Sequence, residues 1–202
     1  MISYETWLNR IFGRSVNSLW DPSIEADAPT IVRFIARTFY DCKSDLQQFS
    51  DKQVGHGLHL LLIEGALLAN LKAVPFEDSA IAIRGIKVLY RDCFALRTRP
   101  VLSHLDEPGG NALNGVCYLL WEDCPLRVWG KDFFELSMEV LECALSVPHV
   151  ACVESALHGL GHLGGGSNQR VQDLIEDWLP QQANLRSELR RYAEQAKHGR
   201  VL

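Results

Sequence analysis

Apolar residues recur at intervals of three and four along most of the chain, and this spacing constrains the fold more than any other feature. After residue 130, for example, Phe134, Met138, Leu141 and Leu145 fall on one side of a helix with 3.6 residues per turn. No segment alternates apolar and polar side chains over a length that would indicate a half-buried strand. Because each such helix has an apolar face to cover, the sequence predicts an all-α fold of packed helices.

Capping residues and helix breakers divide the chain into about eight or nine predicted helices with short connections, which implies antiparallel neighbours. Ser3 and Ser50 are the clearest N-cap residues. The predicted helical segments are 4–11, 30–39, 51–74, 77–96, 113–121, 131–147, 150–163, 169–179 and 184–196. The longest irregular stretch is 98–111, which contains two prolines and a Gly-Gly pair.

The composition limits the class of protein. Of the 202 residues, 47% are hydrophobic and 22% are charged, which is typical of a globular chain, so we expect a single all-helical domain over 1–202. The net charge of −5 argues against a general nucleic-acid binder, which carries a basic footprint. Because Glu5 and Arg10 interrupt the apolar core that an export signal needs, we expect a cytoplasmic protein without a membrane partner.

Six cysteines occur singly, with no C-x-x-C pair among them. Isolated cysteines in a helical, non-exported chain are typical of reduced thiols that pack in the core as small hydrophobic side chains. They are Cys42, Cys93, Cys117, Cys124, Cys143 and Cys152.

Residues 150–179, VACVESALHGLGHLGGGSNQRVQDLIEDWL, look like one unit of a helical repeat. A first helix ends in an A-L-x-x-L-G-like phrase, a glycine-rich turn follows, and a second helix is spaced V-x-x-L-I-x-x-W-L. The segment resembles a HEAT-type repeat. The resemblance implies stacked antiparallel helix pairs in a HEAT/armadillo-like α-α superhelix. The phrase ESALHGLGH at 154–162, with the ending AKHGRVL, also resembles a family of uncharacterised bacterial proteins, which implies a fold but no activity.

Glu154, His158 and His162 repeat every four residues and therefore share one stripe of a helix. Two histidines at this spacing can chelate a metal, with Glu154 as a third ligand. The metalloprotease pattern H-E-x-x-H, however, needs a glutamate where this chain has Gly159. We favour hydrogen bonding to neighbouring helices for the stripe, and a binding surface or a metal site remain as alternatives. We predict no catalytic residue in this chain.

The glycines at 159–164, GLGHLG, match G-x-G-x-x-G literally. A dinucleotide site requires those glycines to follow a strand and open a helix, whereas here they close a helix. They predict a helix stop and a turn, and no motif in the chain requires a cofactor.

Two surfaces are candidates for binding a partner. Glu135, Glu139 and Glu142 form an acidic stripe, which predicts either a solvated helix face or a docking surface for a basic partner. The second surface is the loop Leu102–Asn114, because long loops in compact domains are often functional. Its candidate residues are His104, Asp106, Glu107 and Asn111. A basic stripe of Arg186, Arg190 and Arg191 predicts a solvated face.

These patterns favour a non-enzymatic module that binds another protein, since stacked helix pairs create extended concave binding surfaces. A small acidic chain of this kind suits a bacterial immunity protein that neutralises a cognate toxin, such as a basic toxin domain. The alternative is a metal-binding or nucleic-acid-directed enzyme on a HEAT-like scaffold, although the net negative charge disfavours nucleic acid as a partner.

Overall fold

The structure is a computed structural model that describes residues 2–13, 26–63, 68–122, 129–164 and 166–201. Within these ranges every regular element is helical, and no strand occurs. The all-α prediction is therefore confirmed for these ranges. Among the helices so described, none has the length and apolar character needed to cross a membrane.

Long α-helices make up most of the described chain, and short ones serve as corners between them. In chain order they are α1 (Tyr4–Phe12), α2 (Ala28–Tyr40), α3 (Cys42–Asp45), α4 (Asp51–Leu62), α5 (Phe76–Leu89), α6 (Ala95–Arg97), α7 (Ala112–Leu119), α8 (Lys131–Leu145), α9 (Val150–Gly164), α10 (Gln169–Trp178) and α11 (Ser187–Lys197). Within the described ranges, 3₁₀ turns lie at Leu68–Ala73, Ser103–Leu105 and Leu179–Gln181.

Both predicted N-caps hold. The Ser3 side chain accepts a hydrogen bond from the Thr6 amide at 3.2 Å. The Ser50 hydroxyl accepts one from the Gln53 amide at 3.3 Å, and the Gln53 side chain accepts the Ser50 amide at 3.1 Å, which completes a capping box. Each cap satisfies amides that a helix start leaves without an intrahelical partner. The sequence therefore located these two helix starts correctly.

The predicted helix over 77–96 differs from the structure in its second half. Helix α5 runs into a π-helical turn, Tyr90–Phe94, before α6. Tyr90 and Phe94 are both completely buried, with ring centroids 5.7 Å apart. The Tyr90 hydroxyl also lies 2.7 Å from the Ser155 hydroxyl and accepts a hydrogen bond from the Trp121 ring N–H. A π turn adds a residue to the helical period at the point where this tyrosine enters the core, and a regular periodicity cannot reveal it.

Helix neighbours form two runs that meet at α9. In one run α2 packs on α5 and α5 packs on α8. In the other, α1 contacts α4, α4 packs on α7, α7 on α9, and α9 on α11. Because α9 also packs against α8 and α10, it has neighbours on all sides and its side chains are almost all buried. The apolar stripe of α9 therefore does not distinguish an inner from an outer face.

The glycines inside α9 are explained by this close packing. A Cβ atom added at Gly159 would lie 2.7 Å from both Leu141 Cδ2 and Trp121 Cγ. One added at Gly161 would lie 2.6 Å from the Val201 side chain, near the end of the chain. Glycine at these positions lets three elements approach the α9 backbone, which offsets its unfavourable helix propensity of about 1 kcal/mol per residue.

Four of the five cysteines that the structure describes occupy the core, as the sequence predicts. Cys42, Cys93, Cys117 and Cys152 are buried free thiols, and Cys143 is half-buried. Burial raises the pKa of Cys42 and of Cys93 to about 12, because a thiolate is poorly solvated in an apolar interior. The sixth predicted thiol, Cys124, lies outside the described residues.

Candidate functional site

A buried glutamate on α9 holds the loop that precedes α7. The Glu154 side chain is completely buried. Its Oε2 accepts the Ser103 amide at 3.0 Å, while its Oε1 accepts the His104 amide at 3.0 Å and lies 2.6 Å from His104 Nδ1. Three N–H groups around two oxygens match an ionised carboxylate, which only accepts hydrogen bonds. The tertiary structure thus joins two predicted candidates, the loop and the α9 stripe, into one site.

The same contact orients the imidazole ring of His104. Since a carboxylate faces Nδ1, that nitrogen carries a proton, and Nε2 is the ring nitrogen left for other contacts. The ring also stacks on Tyr192 of α11, with centroids 4.1 Å apart and planes 16° from parallel. The His104 side chain is 11% exposed. A carboxylate, a backbone amide and an aromatic ring therefore fix the direction of a single partly exposed histidine.

A pocket of about 230 Å³ opens beside this ring, between the loop and α11. Its lining residues are His104, Leu105, Glu188, Arg191, Tyr192, Gln195 and Arg200. Arg191 and Arg200 are exposed and form no ion pair with any residue that the structure describes. The Glu188 carboxylate, by contrast, lies 3.6 Å from the Arg186 guanidinium. The pocket therefore has an excess of positive charge in a chain whose net charge is negative.

Below the pocket, histidine and tyrosine side chains form a buried hydrogen-bonded chain. Tyr192 Oη lies 2.7 Å from His158 Nδ1 and 3.3 Å from Tyr118 Oη, and His158 Nε2 lies 3.2 Å from His162 Nε2. Burial, with additional repulsion from neighbouring histidines, lowers the pKa of His158 to about 3. His158 is thus neutral near pH 7, and one of the two facing Nε2 atoms donates to the other.

The predicted metal stripe is divided between two tasks. Glu154 faces the loop, whereas His158 faces Tyr192 and His162. Within the described ranges, no three side chains of histidine, cysteine, aspartate or glutamate are grouped so that they could hold a metal ion. Glu154 and His158 form hydrogen bonds with neighbouring elements, which is the kind of contact that the sequence analysis favoured for this stripe.

Other predicted loop residues hold the loop itself in place. Glu107 accepts the Leu102 amide at 2.8 Å and pairs with Arg186 at 2.5 Å. Asn111 caps α7 and donates to the Arg97 carbonyl oxygen at 2.7 Å. Asp106 is exposed and has a left-handed backbone conformation, with φ of 50°. Of the four predicted residues, Asp106 is the one whose side chain the structure leaves at the surface.

On α8, two of the three predicted acidic residues are paired with basic residues of the same chain. Glu139 accepts hydrogen bonds from Lys87 at 2.5 Å and from Arg84 at 3.1 Å, and the Lys87 contact is the main reason that its pKa is lowered. Glu135 pairs with Arg170 of α10. The predicted stripe is therefore partly neutralised within the chain.

The rest of this acidic face remains available. Asp132 and Glu142 are exposed, and neither forms an ion pair within the described part of the chain. Together with the paired glutamates they border a depression of about 410 Å³. Its full lining is Phe76, Arg84, Asp132, Glu135, Leu136, Glu139, Glu142 and Arg170. Four carboxylates against two arginines leave this depression acidic.

A second depression adjoins the first and shares Arg84 with it. It measures about 510 Å³ and lies between the end of α2, the second half of α5 with the following π turn, and the end of α8. Its apolar lining comes mainly from Tyr40, Val88, Val147 and Pro148, and Lys87 and Arg91 also border it. We call the two depressions together the α5–α8 face.

Sequence reasoning missed the pocket beside His104. Arg191 belonged to a stripe predicted to be solvated, and neither Tyr192 nor Arg200 was a candidate. In the structure Arg186 instead pairs with Glu107, and Arg190 donates to the Gln182 carbonyl oxygen at 2.7 Å. No periodic signal distinguishes Arg191 from these neighbours, because only the packing of α11 against the loop brings it to the pocket.

Comparisons with models of known protein families, with curated protein sequences and with solved structures find no match to this chain.

Proposed function

We propose that this protein is a non-enzymatic module that binds another protein, built as stacked antiparallel helix pairs of the HEAT/armadillo-like type. The two runs of helix neighbours and the α9–α10 hairpin support this proposal. In such stacks each pair contacts mainly its neighbours, and the exposed helix faces add up to one extended binding surface.

The observation that carries the proposal is the pairing of two unlike depressions on the α5–α8 face. One is bordered by four carboxylates and two arginines, and the other is lined with apolar side chains beside three basic residues, Arg84, Lys87 and Arg91. Protein interfaces combine an apolar region that excludes water with charged groups that steer and orient the partner. This face fits a partner with an apolar anchor beside a basic patch.

The biological setting that we propose is bacterial immunity, in which this protein covers and neutralises a cognate toxin in the cytoplasm. The acidic depression would complement a toxin whose active-site groove is basic. The buried free thiols are consistent with a reducing compartment.

Charge reversal of the two unpaired carboxylates tests this proposal. The tagged chain captures proteins from a lysate of its source organism, and mass spectrometry quantifies each protein that is retained. For the true partner, we expect Asp132→Lys combined with Glu142→Lys to reduce capture at least about tenfold, because like charges then face its basic patch. Asp173→Lys combined with Asp177→Lys, two exposed reversals on α10, is the matched control and leaves capture unchanged. Equal capture by the wild-type chain and the double variant at Asp132 and Glu142 would refute the proposed face.

A second candidate function is an enzyme on the same scaffold, and the Glu154–His104 pair is the observation that favours it. A carboxylate that fixes one ring nitrogen and leaves the other facing a pocket is also the arrangement of general bases and of metal-binding histidines. Metal analysis of the purified chain separates the two proposals. Stoichiometric zinc, iron or manganese that is lost in His104→Ala would favour the enzyme, whereas equal trace amounts in both proteins would favour the binding module.

A further inference from the structure

We infer that the pocket beside His104 is a binding site for a phosphate monoester group. It shares no residue with the α5–α8 face, so it adds a second site to the proposed binding module. Three positively charged or hydrogen-donating side chains, His104, Arg191 and Arg200, converge on one small concavity between the loop and α11.

The hydrogen-bond donors around the pocket match a phosphate group. The Glu154 carboxylate already accepts from the Ser103 amide, the His104 amide and the His104 ring, so it is not an unpaired acceptor beside the pocket. Arg191 and Arg200 place two positive charges in the lining, against the one carboxylate of Glu188. A phosphate monoester carries between about 1.5 and 2 negative charges at neutral pH and has three terminal oxygens, so it can accept hydrogen bonds from both guanidinium groups. A carboxylate group carries one charge and has two oxygens, and we therefore expect it to bind this pair of arginines less strongly.

The acidic residue of the lining offsets part of this positive charge, but its ion pair is with Arg186 and not with Arg191 or Arg200. Glu188 accepts a hydrogen bond from the Ser187 hydroxyl at 3.1 Å and lies 3.6 Å from the Arg186 guanidinium. Arg186 is in turn held by Glu107. These four residues form a cluster of their own at the start of α11, so Arg191 and Arg200 face the pocket without an internal partner among the described residues.

The histidine is prepared for such a ligand before the ligand arrives. Its Nδ1 is fixed by Glu154 at 2.6 Å, and its ring lies flat against Tyr192. Because Nδ1 donates to the carboxylate, Nε2 is the ring nitrogen available for a hydrogen bond with the phosphate group. A buried carboxylate is expensive unless it is fully hydrogen-bonded, and here its bonds also orient a side chain that lines a cavity. Such preorganisation reduces the entropic cost of binding.

The volume of the pocket sets the size of the ligand group. Pockets for drug-sized molecules measure roughly 300 to 1,000 Å³, whereas this one measures about 230 Å³. It therefore accommodates a single phosphate group, with the remainder of the ligand outside. The Gln195 amide at the rim supplies a further donor.

The experiment uses the full chain and two probes, inorganic phosphate and acetate, at matched ionic strength. Isothermal titration calorimetry measures affinity, and nitrogen-detected NMR follows the His104 ring, assigned by comparison with His104→Gln. We expect saturable binding of one phosphate that shifts the His104 nitrogens, with acetate at least about tenfold weaker. Arg191→Gln combined with Arg200→Gln should weaken phosphate at least about tenfold, because charged hydrogen bonds are lost.

Arg190→Gln is the control for the Arg191 position, since it removes one positive charge from the same helix outside the pocket lining. Phosphate affinity in this variant should stay within about twofold of the wild-type value. Absence of saturable phosphate binding would overturn the inference. Equal affinity for acetate, or a loss in Arg190→Gln as large as that in the double variant, would overturn it as well. All the substituted arginines are exposed, so the fold is expected to survive.

Discussion

Glutamates serve two different purposes in α9 and α8. Glu154 on α9 is completely buried and bound by three N–H groups, whereas the α8 glutamates lie at the surface beside flexible lysine and arginine side chains. Removal from water makes the partners of Glu154 indispensable, because a buried charge without them is strongly destabilising. At the surface, water and salt replace a lost partner at little cost. The α9 region is therefore specialised for fixed geometry and the α8 region for exchangeable contacts.

The largest predicted effect on stability is that of a substitution at the buried glutamate of α9. Glu154→Gln places an amide NH₂ against N–H donors, and we expect it to reduce the free energy of unfolding by about 3 to 5 kcal/mol. Urea denaturation followed by circular dichroism measures the loss. Glu142→Gln on the exposed face should change stability by no more than about 0.5 kcal/mol. Similar losses in the two variants would show that burial does not separate the two regions.

The buried side chain of His158, one turn after Glu154 on α9, should make the stability of the protein depend on pH. The pKa of His158 is about 3 in the folded chain and about 6.5 when unfolded, so the unfolded chain binds more protons between these values. Stability from this residue is complete above pH 6.5 and falls as the pH decreases, by about 1.4 kcal/mol per pH unit. Denaturation at about pH 7, 6 and 5 should show this additional slope in the wild-type chain and not in His158→Gln. Parallel slopes in the two proteins would contradict the assignment.

Glycine-to-alanine substitutions at a buried and at an exposed helix position should change stability in opposite directions. In Gly159→Ala the new methyl group meets Leu141 and Trp121, and the Trp121 ring is held by the Tyr90 hydroxyl at 2.8 Å, so we expect a loss of about 1 to 3 kcal/mol. Gly115 lies within α7 and is exposed, and a methyl group added there would have no neighbouring atom within 4 Å. Gly115→Ala should therefore add up to about 1 kcal/mol through helix propensity. Thermal denaturation distinguishes the signs, and a gain in both variants would exclude close packing at Gly159.

The smallest effect is expected at the Glu135–Arg170 pair between α8 and α10. A double-mutant cycle with Glu135→Gln and Arg170→Gln should give a coupling free energy below about 1 kcal/mol, and lower still in high salt. A coupling of several kcal/mol would instead place this pair in the same energetic class as Glu154 and its donors.

The sequence determined most of the long helices, because the information for them is local. The predicted helix over 51–74 was wrong in its second part, where α4 ends at Leu62 and a 3₁₀ turn occupies Leu68–Ala73. The N-caps at Ser3 and Ser50 depend on side chains within three residues, and the α9–α10 hairpin was predicted within a residue or so of its bounds because a glycine-rich turn separates two periodic segments. The same local reasoning missed the π turn at Tyr90–Phe94, whose extra residue serves a packing requirement from other helices.

Only the tertiary structure decided which residues meet. A stripe on a helix indicates a direction but not what lies in that direction, and α9 is surrounded by α7, α8, α10 and α11. Glu154 and His158 therefore point to different neighbours although they share a stripe, and His104 reaches Glu154 across fifty residues of chain. The pocket with Arg191 and Arg200 arises in the same way, because long-range packing brings together charges that no sequence spacing relates.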